Sequence, residues 1–290
     1  MPELPEVEVT RRMLAPKLVG RTISAVYCGA PSYFFLTPPR RLEKSLAGHT
    51  IKTLDRQGKY LLMGLGEGHR LLLHLGMTGQ LFMAGAVSPR LMSLAKRARG
   101  DRDGEGPESD PHTHLKLEFR DGGPGLCFRD VRKFGKVRWL SAGQSDSRLD
   151  KLGPDALGAD GDTLFSASRK RTAPVKTLLL DQAVLAGVGN IYADEALFMS
   201  GVRPMRGARR VTRKEYAEIA RNVQRVLARS IETGGSSISD FIAPDGQDGQ
   251  FQHERRVYAR EGEACSTCKT PILRVVIGQR SSHYCPKCQR

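Results

Sequence analysis

The residues best suited to chemistry stand at the very start of the chain, Met1-Pro2-Glu3-Leu4-Pro5-Glu6. Removal of Met1 turns Pro2 into a free secondary amine beside a carboxylate. An α-amino group has a pKa near ~7.8, against about 10.4 for lysine, so roughly a tenth of such amines are neutral at pH 7. Only the neutral form attacks carbon. A secondary amine that condenses with an aldehyde gives an iminium that cannot shed its charge by losing a proton from nitrogen. That is a lasting electron sink, suited to elimination. Taken alone, the hexapeptide reads more simply as an ordinary helix start, and the rest of the chain must decide.

The second cluster is Cys265-x2-Cys268-x16-Cys285-x2-Cys288. Paired thiolates at this spacing close a tetrahedral structural zinc site, and four cysteines leave no open position for catalysis. An iron–sulfur or redox role fits the symmetric pairs less well. Zinc binding of this kind contributes about 10–16 kcal/mol, enough to fold a tail too small for its own core. The spacing predicts strands over Pro271–Ile277 and Ser282–Tyr284, with the turn Gly278-Gln279-Arg280-Ser281 projecting Arg280. His283 lies near but is not needed as a ligand. Cys28 and Cys127 stand alone and read as buried thiols.

Other residues gain meaning from their turns. Lys59, in Gln57-Gly58-Lys59-Tyr60, sits at a turn-to-strand junction. Lysines there are usually solvated, but one beside a phosphate is a general acid/base candidate. Met77 stands on a glycine-flanked tip, and Arg132-Lys133-Phe134-Gly135 offers arginine with an apolar ring. Such residues suit a wedge entering a base stack, although a core role for Met77 and Phe134 is the simpler reading of each. Gly187-Val188-Gly189-Asn190 is a tight turn between helices, and backbone N–H groups at a helix start bind phosphate. Asn190 reads first as an N-cap with its amide pointing outward. His112 and His114 alternate within a predicted strand, a weak metal pair without a third ligand.

These residues need elements to hold them. The chain has 290 residues, 39% hydrophobic, enough for two domains. Lys and Arg number 46 against 31 Asp and Glu, a net charge of +15. That surplus points to a polyanion, nucleic acid before membrane surface. It is concentrated late: residues 203–229 hold nine Lys/Arg against two Glu, and 255–290 hold eight against two. No apolar run approaches a membrane span and the N-terminus lacks a signal-peptide core, so the expected location is intracellular, in the cytoplasm with the nucleoid. A helix is predicted from Pro5 to about Val19. Strand-like runs follow at Thr22–Tyr27, Thr50–Asp55, Tyr60–Leu65, Arg70–Leu75, His114–Phe119 and Val137–Leu140, the pattern of an antiparallel sandwich or barrel. Ala84–Pro111 interrupts them as a Gly-, Pro- and charge-rich loop. A polar linker follows, then helices at Val175–Leu185 and Ile191–Ser200. Thr212-x-x-Glu215 is a capping box. It opens a helix with Tyr216, Ile219, Val223, Val226, Leu227 and Ile231 on one face.

Together these pieces resemble the formamidopyrimidine-DNA glycosylases, bifunctional enzymes that remove oxidised purines from DNA. The resemblance runs over nearly the whole chain. It rests on Met1–Glu8, Gly58-Lys59-Tyr60-Leu61, His74-Leu75-Gly76-Met77-Thr78-Gly79, Asp130–Gly135, Leu152-Gly153-Pro154-Asp155, Gly187–Glu195 and the four-cysteine finger. It implies an α+β chain. An N-terminal antiparallel β-sandwich with an N-terminal helix spans 1–140, a linker 141–155, a helix–two-turn–helix domain 156–254 and a zinc finger 255–290.

Carried over by motif, Pro2 attacks C1′, Glu3 protonates the sugar ring oxygen, Lys59 is the proton donor in β-elimination, and Arg280 serves δ-elimination. Asn190, His112, Arg132 and Arg171 fall on DNA-contact positions, Glu6 lines the lesion pocket, and Met77, Arg132 and Phe134 fill the gap left by a flipped base. One structural zinc, a double-stranded DNA partner, no membrane and a monomer are implied. Leu4 and the loop Gly234–Phe241 favour the purine-directed branch over the endonuclease VIII branch. The segment 84–111 is longer than is usual in the family. A non-catalytic DNA binder and a zinc-ribbon adaptor remain as competing classes.

Overall fold

The structure is a computed structural model that describes residues 2–86, 110–238 and 241–290. Met1, most of the expected loop 84–111, and Ser239 with Asp240 lie outside the described residues. The chain forms two compact units, Met1–Asp146 with Gly234–Gln250, and Ser147–Thr233 with Phe251–Arg290. No helix among the described residues is long and apolar enough to cross a membrane.

The first unit opens with helix α1, Leu4–Leu18. Pro5 suits its first turn, where the missing N–H costs nothing, and Glu6 and Lys17 sit at the dipole ends that favour their charges. Two four-stranded antiparallel sheets follow. One orders β1 (Ile23–Cys28), β6 (Thr113–Phe119), β7 (Leu126–Asp130) and β5 (Gly79–Met83). The other orders β2 (Ile51–Gln57), β3 (Tyr60–Leu65), β4 (Arg70–His74) and β8 (Lys136–Leu140). Ile23, Leu81, Leu117 and Phe128 of the first sheet share one core with Leu61, Leu71, Leu73 and Val137 of the second, and with Val7, Leu14 and Leu18 of α1. This is the expected sandwich.

Three elements departed from expectation. β5 and β7 are buried at every residue, so they lack the period-two alternation that marks a half-exposed strand. Helix α2, Pro39–Leu46, buries only Leu42 and Leu46 on an otherwise charged surface.

The second unit holds α3 (Gly161–Ser168), α4 (Val175–Leu180), α5 (Asn190–Met199) and α6 (Arg213–Glu232). α6 carries the expected capping box, with Thr212 Oγ1 accepting from the Glu215 N–H at 3.2 Å, and its predicted apolar face is buried. α4 stops five residues short of the predicted Leu185, because Asp181 leaves helical geometry (ψ 107°) and its carboxylate accepts the Ala183 N–H at 3.0 Å. Gln182 then braces the turn, donating to the carbonyls of Leu180 (3.0 Å) and Val188 (2.9 Å). The finger hairpin is β9 (Leu273–Ile277) with β10 (Arg280–Tyr284). Arg280 pairs with Ile277, so the turn is the two residues Gly278-Gln279, both at positive φ. Arg280 therefore starts the strand instead of standing within the turn.

Candidate active site and nucleic-acid interface

Pro2 is buried immediately before α1, and Glu3 is the N-cap. The Glu3 N–H donates to Glu6 Oε2 at 2.8 Å, the reciprocal half of a capping box, which fixes the backbone one residue after the amine. The other oxygen, Glu6 Oε1, accepts the N–H of Ser236 at 2.9 Å. Glu6 thus anchors the Gly234–Gln250 segment beside the helix start. The N-terminus of α1 places positive potential beside Pro2, which attracts an anion. Lys59 is 8% exposed, on the two-residue turn joining β2 to β3.

The wedge candidates come together on two interlocked loops. Gly76 at φ +65° packs so tightly that a Cβ would lie 2.4 Å from the Gly135 nitrogen. Asp130 ties the loops: its carboxylate accepts from the Thr78 hydroxyl, from the Gly135 N–H at 2.6 Å and from the Arg132 N–H at 3.3 Å. Met77 is half-buried and Phe134 is exposed, with the Arg132 guanidinium 4.6 Å over its ring. Tyr33, which sequence reasoning passed over, is 56% exposed, lies 6.2 Å from the Phe134 ring and donates its hydroxyl to the Arg132 carbonyl at 2.6 Å. Only its exposure marks it.

His112 precedes β6 in a turn held by Asp110, whose carboxylate accepts its N–H at 2.8 Å. It is half-buried and does not alternate with His114 inside the strand. His114 is buried against the Asp130 carbonyl (2.9 Å), and burial holds its imidazole below the usual pKa. The weak two-histidine metal reading therefore gains nothing.

In the second unit Gly189, not Asn190, is the N-cap of α5. Asn190 is the first helical residue, and its Nδ2 donates to the Ser281 carbonyl at 3.0 Å, next to Arg280. Its Oδ1 is buried with no hydrogen-bond partner. Lys176, on α4, donates to the same Ser281 carbonyl at 2.9 Å and pairs with Asp194 of α5 at 2.6 Å, both side chains fully buried. Asp194 also accepts from the Ser282 hydroxyl and the His283 N–H, each at 2.8 Å. The start of β10 is therefore bolted to the helix pair by a charged network of Lys176 and Asp194, to which sequence reasoning gave no role. Arg280 itself is exposed. Arg171 pairs with Asp181 at 2.7 Å; burial would raise that carboxyl, but Arg171 and the Ala183 N–H outweigh it and hold it low. Glu195 is buried, and its carboxylate accepts three backbone N–H groups, those of Arg256, Val257 and Tyr258, at 2.8–3.0 Å.

Among the described residues, the four finger cysteines are the one group of three or more metal-binding side chains that gathers. Their sulfurs all lie within 4.8 Å, with Cys265–Cys288 at 3.9 Å and Cys268–Cys285 at 3.4 Å. A tetrahedral ZnS4 centre with bonds near 2.3 Å sets sulfurs about 3.8 Å apart, so the set fits one structural zinc. The apolar cluster beside it is only Phe198, Val257, Cys265, Ile272 and Cys285, with Cys268 and Cys288 at its edge.

Three family models match the chain. Residues 1–137 match the formamidopyrimidine-DNA glycosylase N-terminal domain, 152–242 its H2TH domain, and 262–290 a zinc finger found in FPG and IleRS. Formamidopyrimidine-DNA glycosylases of Stenotrophomonas maltophilia and Pseudomonas fluorescens are 42% and 41% identical over 292 residues, covering all of both chains. The MutM (Fpg) protein of Thermus thermophilus superposes with TM-score 0.81 at 37% identity over 99% of this chain and 98% of its own. A Lactococcus lactis Fpg variant bound to Fapy-dG containing DNA gives 0.83 at 32% identity over the full length of both. A MutM complex with carbocyclic 8-oxo-G containing DNA does the same. The chain is therefore a member of the formamidopyrimidine-DNA glycosylase family, a base-excision repair DNA glycosylase with a zinc finger.

Proposed function

We propose that this protein extrudes and excises oxidised purines from duplex DNA through a covalent intermediate on Pro2, then cuts the strand by successive β- and δ-elimination. The observation that carries the reading is the start of α1. A buried proline stands at the second position, with the Glu3 carboxyl adjoining it and Glu6 locked across the helix start.

In the first step the Pro2 nitrogen bonds C1′ as the bond from C1′ to the base breaks, the base leaving with the electron pair. The nitrogen sheds its proton, the departing base takes one up, Glu3 gives a proton to the ring oxygen, the C1′–O4′ bond breaks, and an open iminium remains. Loss of the C2′ proton then feeds electrons toward that iminium and expels the 3′-phosphate, with Lys59 as proton donor. A second elimination, served by Arg280, removes the C4′ proton and expels the 5′-phosphate from C5′, and water releases Pro2. Only the neutral amine attacks, and the positive flank of α1 beside it suits an anionic partner.

DNA containing Fapy-dG, carbocyclic 8-oxo-G or an abasic site is bound in structures of relatives, and a DNA partner suits this chain's +15 charge. Extruding a base costs a few kcal/mol, and Met77, Arg132 and Phe134 offset that cost by filling the vacated stack. His112, Arg171 and Asn190 grip backbone, which positions the duplex without reading sequence. Selection of the lesion falls to the pocket bordered by Glu6 and Ser236.

The test is a duplex carrying 8-oxoguanine opposite cytosine, incubated with the protein and borohydride and mass-mapped. A covalent adduct on Pro2 is expected, and it also reports removal of Met1. An adduct only with oxidised-pyrimidine duplexes would move the protein to the endonuclease VIII specificity, and tight binding without any adduct would make it a non-catalytic binder.

A further inference from the structure

We infer that Glu8 and Arg56 are a positioning pair for Lys59, acting through the backbone of the turn that carries it; the inference rests on the role of Lys59 proposed above. Gln57 pairs with Tyr60, so β2 and β3 are joined by Gly58-Lys59 alone. Gly58 sits at φ +55° whereas Lys59 does not take positive φ, the pattern of a type II′ hairpin turn. Rotating the peptide between these two residues would produce the I′ turn, which demands positive φ at both. Lys59 would then adopt a backbone that L-residues avoid, and its side chain would leave in another direction.

The atom that decides this is the Gly58 carbonyl oxygen, which belongs to that peptide. Arg56 Nη1 donates to it at 2.9 Å. The same guanidinium donates through Nε to Glu8 Oε2 at 3.1 Å, and both side chains are at most 9% exposed. Glu8 is in turn gripped by Arg11 through Nε (3.0 Å) and Nη2 (2.8 Å), and by Arg12 at 2.7 Å. The acid and the carbonyl are met by separate nitrogens of one rigid guanidinium, Nε and Nη1, and the single ammonium of lysine cannot stand at both positions.

Glu8 lies on α1, the helix that begins just after Pro2. The element that presents the nucleophile therefore also sets, through Arg56, the turn that presents the proton donor. Pro2 and Lys59 are held in one frame although 57 positions separate them in sequence.

The test uses the full-length, zinc-loaded protein under single turnover on a duplex with a preformed abasic site. Borohydride trapping on Pro2 and strand cutting are read separately. Arg56→Lys keeps a cation for Glu8 but releases the Gly58 carbonyl. It is expected to trap within about twofold of the parent yet cut about tenfold or more slowly, a part of the roughly 10²–10⁴-fold that a positioned acid/base group contributes. Combined with Lys59→Ala it should cut no more slowly than Lys59→Ala alone, since both act on one step. Parental cutting by Arg56→Lys, or losses that multiply in the double variant, overturns the pairing. Full-rate cutting by Lys59→Ala alone would remove the role of Lys59 itself, and the pairing with it. Should Arg56→Lys fail to fold, Glu8→Gln, checked for an intact melting transition, is expected to show the same split between trapping and cutting, and an equal loss in both would overturn the inference.

Discussion

The side-chain amide of Asn190 donates to the carbonyl of Ser281 at 3.0 Å, fastening the first residue of α5 to the residue after Arg280. A residue expected to cap its own helix instead holds the finger hairpin. The position of Arg280 is thus set by a helix whose N-terminus attracts phosphate. One such hydrogen bond contributes about 0.5–1.5 kcal/mol, so Asn190→Ala should weaken abasic-DNA binding by roughly three- to tenfold. It should also leave more β-only product, read on a sequencing gel. An unchanged β-to-δ product ratio would show that this bond does not govern Arg280.

Lys176 and Asp194 form a fully buried pair at 2.6 Å. Removing one partner strands a charge, and Lys176→Met should destabilise the protein by about 3–5 kcal/mol. Lys176→Met with Asp194→Leu should recover much of that, because no uncompensated charge is left. Urea melts of the three proteins test this, and a double variant no better than Lys176→Met would argue against charge burial as the cause.

Met77 and Phe134 stand on loops locked together through Asp130 and Gly76. Met77→Ala and Phe134→Ala should each slow excision from duplex by about tenfold, a kcal/mol or two of the extrusion cost, and leave cutting of a single-stranded abasic oligonucleotide almost unchanged. Equal losses on both substrates would mean that these residues support the fold rather than the flipped state.

Chelation of the metal should unfold the finger. Five buried residues with two cysteines at the edge make too small a core without about 10–16 kcal/mol from zinc. Near-complete loss of duplex binding is expected, restored by zinc. Retention of binding by protein shown to be metal-free would contradict the role of the finger.

The acid limb of stability should carry the mark of Glu8. Burial favours its protonated form, but hydrogen bonds from Arg11, Arg12 and Arg56 win and draw the carboxyl from 4.5 to about 2. A carboxylate lowered on folding stabilises fully above its unfolded pKa, and that contribution fades as pH falls from about 4.5 toward 2. Glu8→Gln should therefore lower the melting temperature at pH 7 and flatten its fall below pH 4.5, as calorimetry would show.

Sequence revealed what local rules write. The capping box at Thr212 and Glu215, the apolar face of α6, the cysteine spacing and the β-branched and leucine-rich strand runs all emerged. What stayed hidden depends on distant partners. β5 and β7 are buried on both faces and carry no period. Tyr33, Lys176 and Asp194 look like any surface tyrosine, lysine and aspartate until the fold sets them against Phe134 and Ser281. Glu8 reads as one more acid in a helix start, and only its meeting with Arg56, 48 positions on, gives it a task.

The Glu6–Ser236 hydrogen bond spans 230 positions, and Gly234–Gln250 belongs to the same unit as the opening residues. During synthesis the chain emerges N-terminus first, at about 5–20 residues per second. Both sheets can pair as soon as residue 140 is out, but the seal over Glu6 awaits residue 236. For several seconds the nascent protein holds the start of α1 without the segment that closes on Glu6. Closing so long a loop is also slow in contact-order terms. The contact on Glu6 is therefore among the last parts of the first unit to mature, and a chain interrupted before residue 234 carries α1 without the segment that Glu6 anchors.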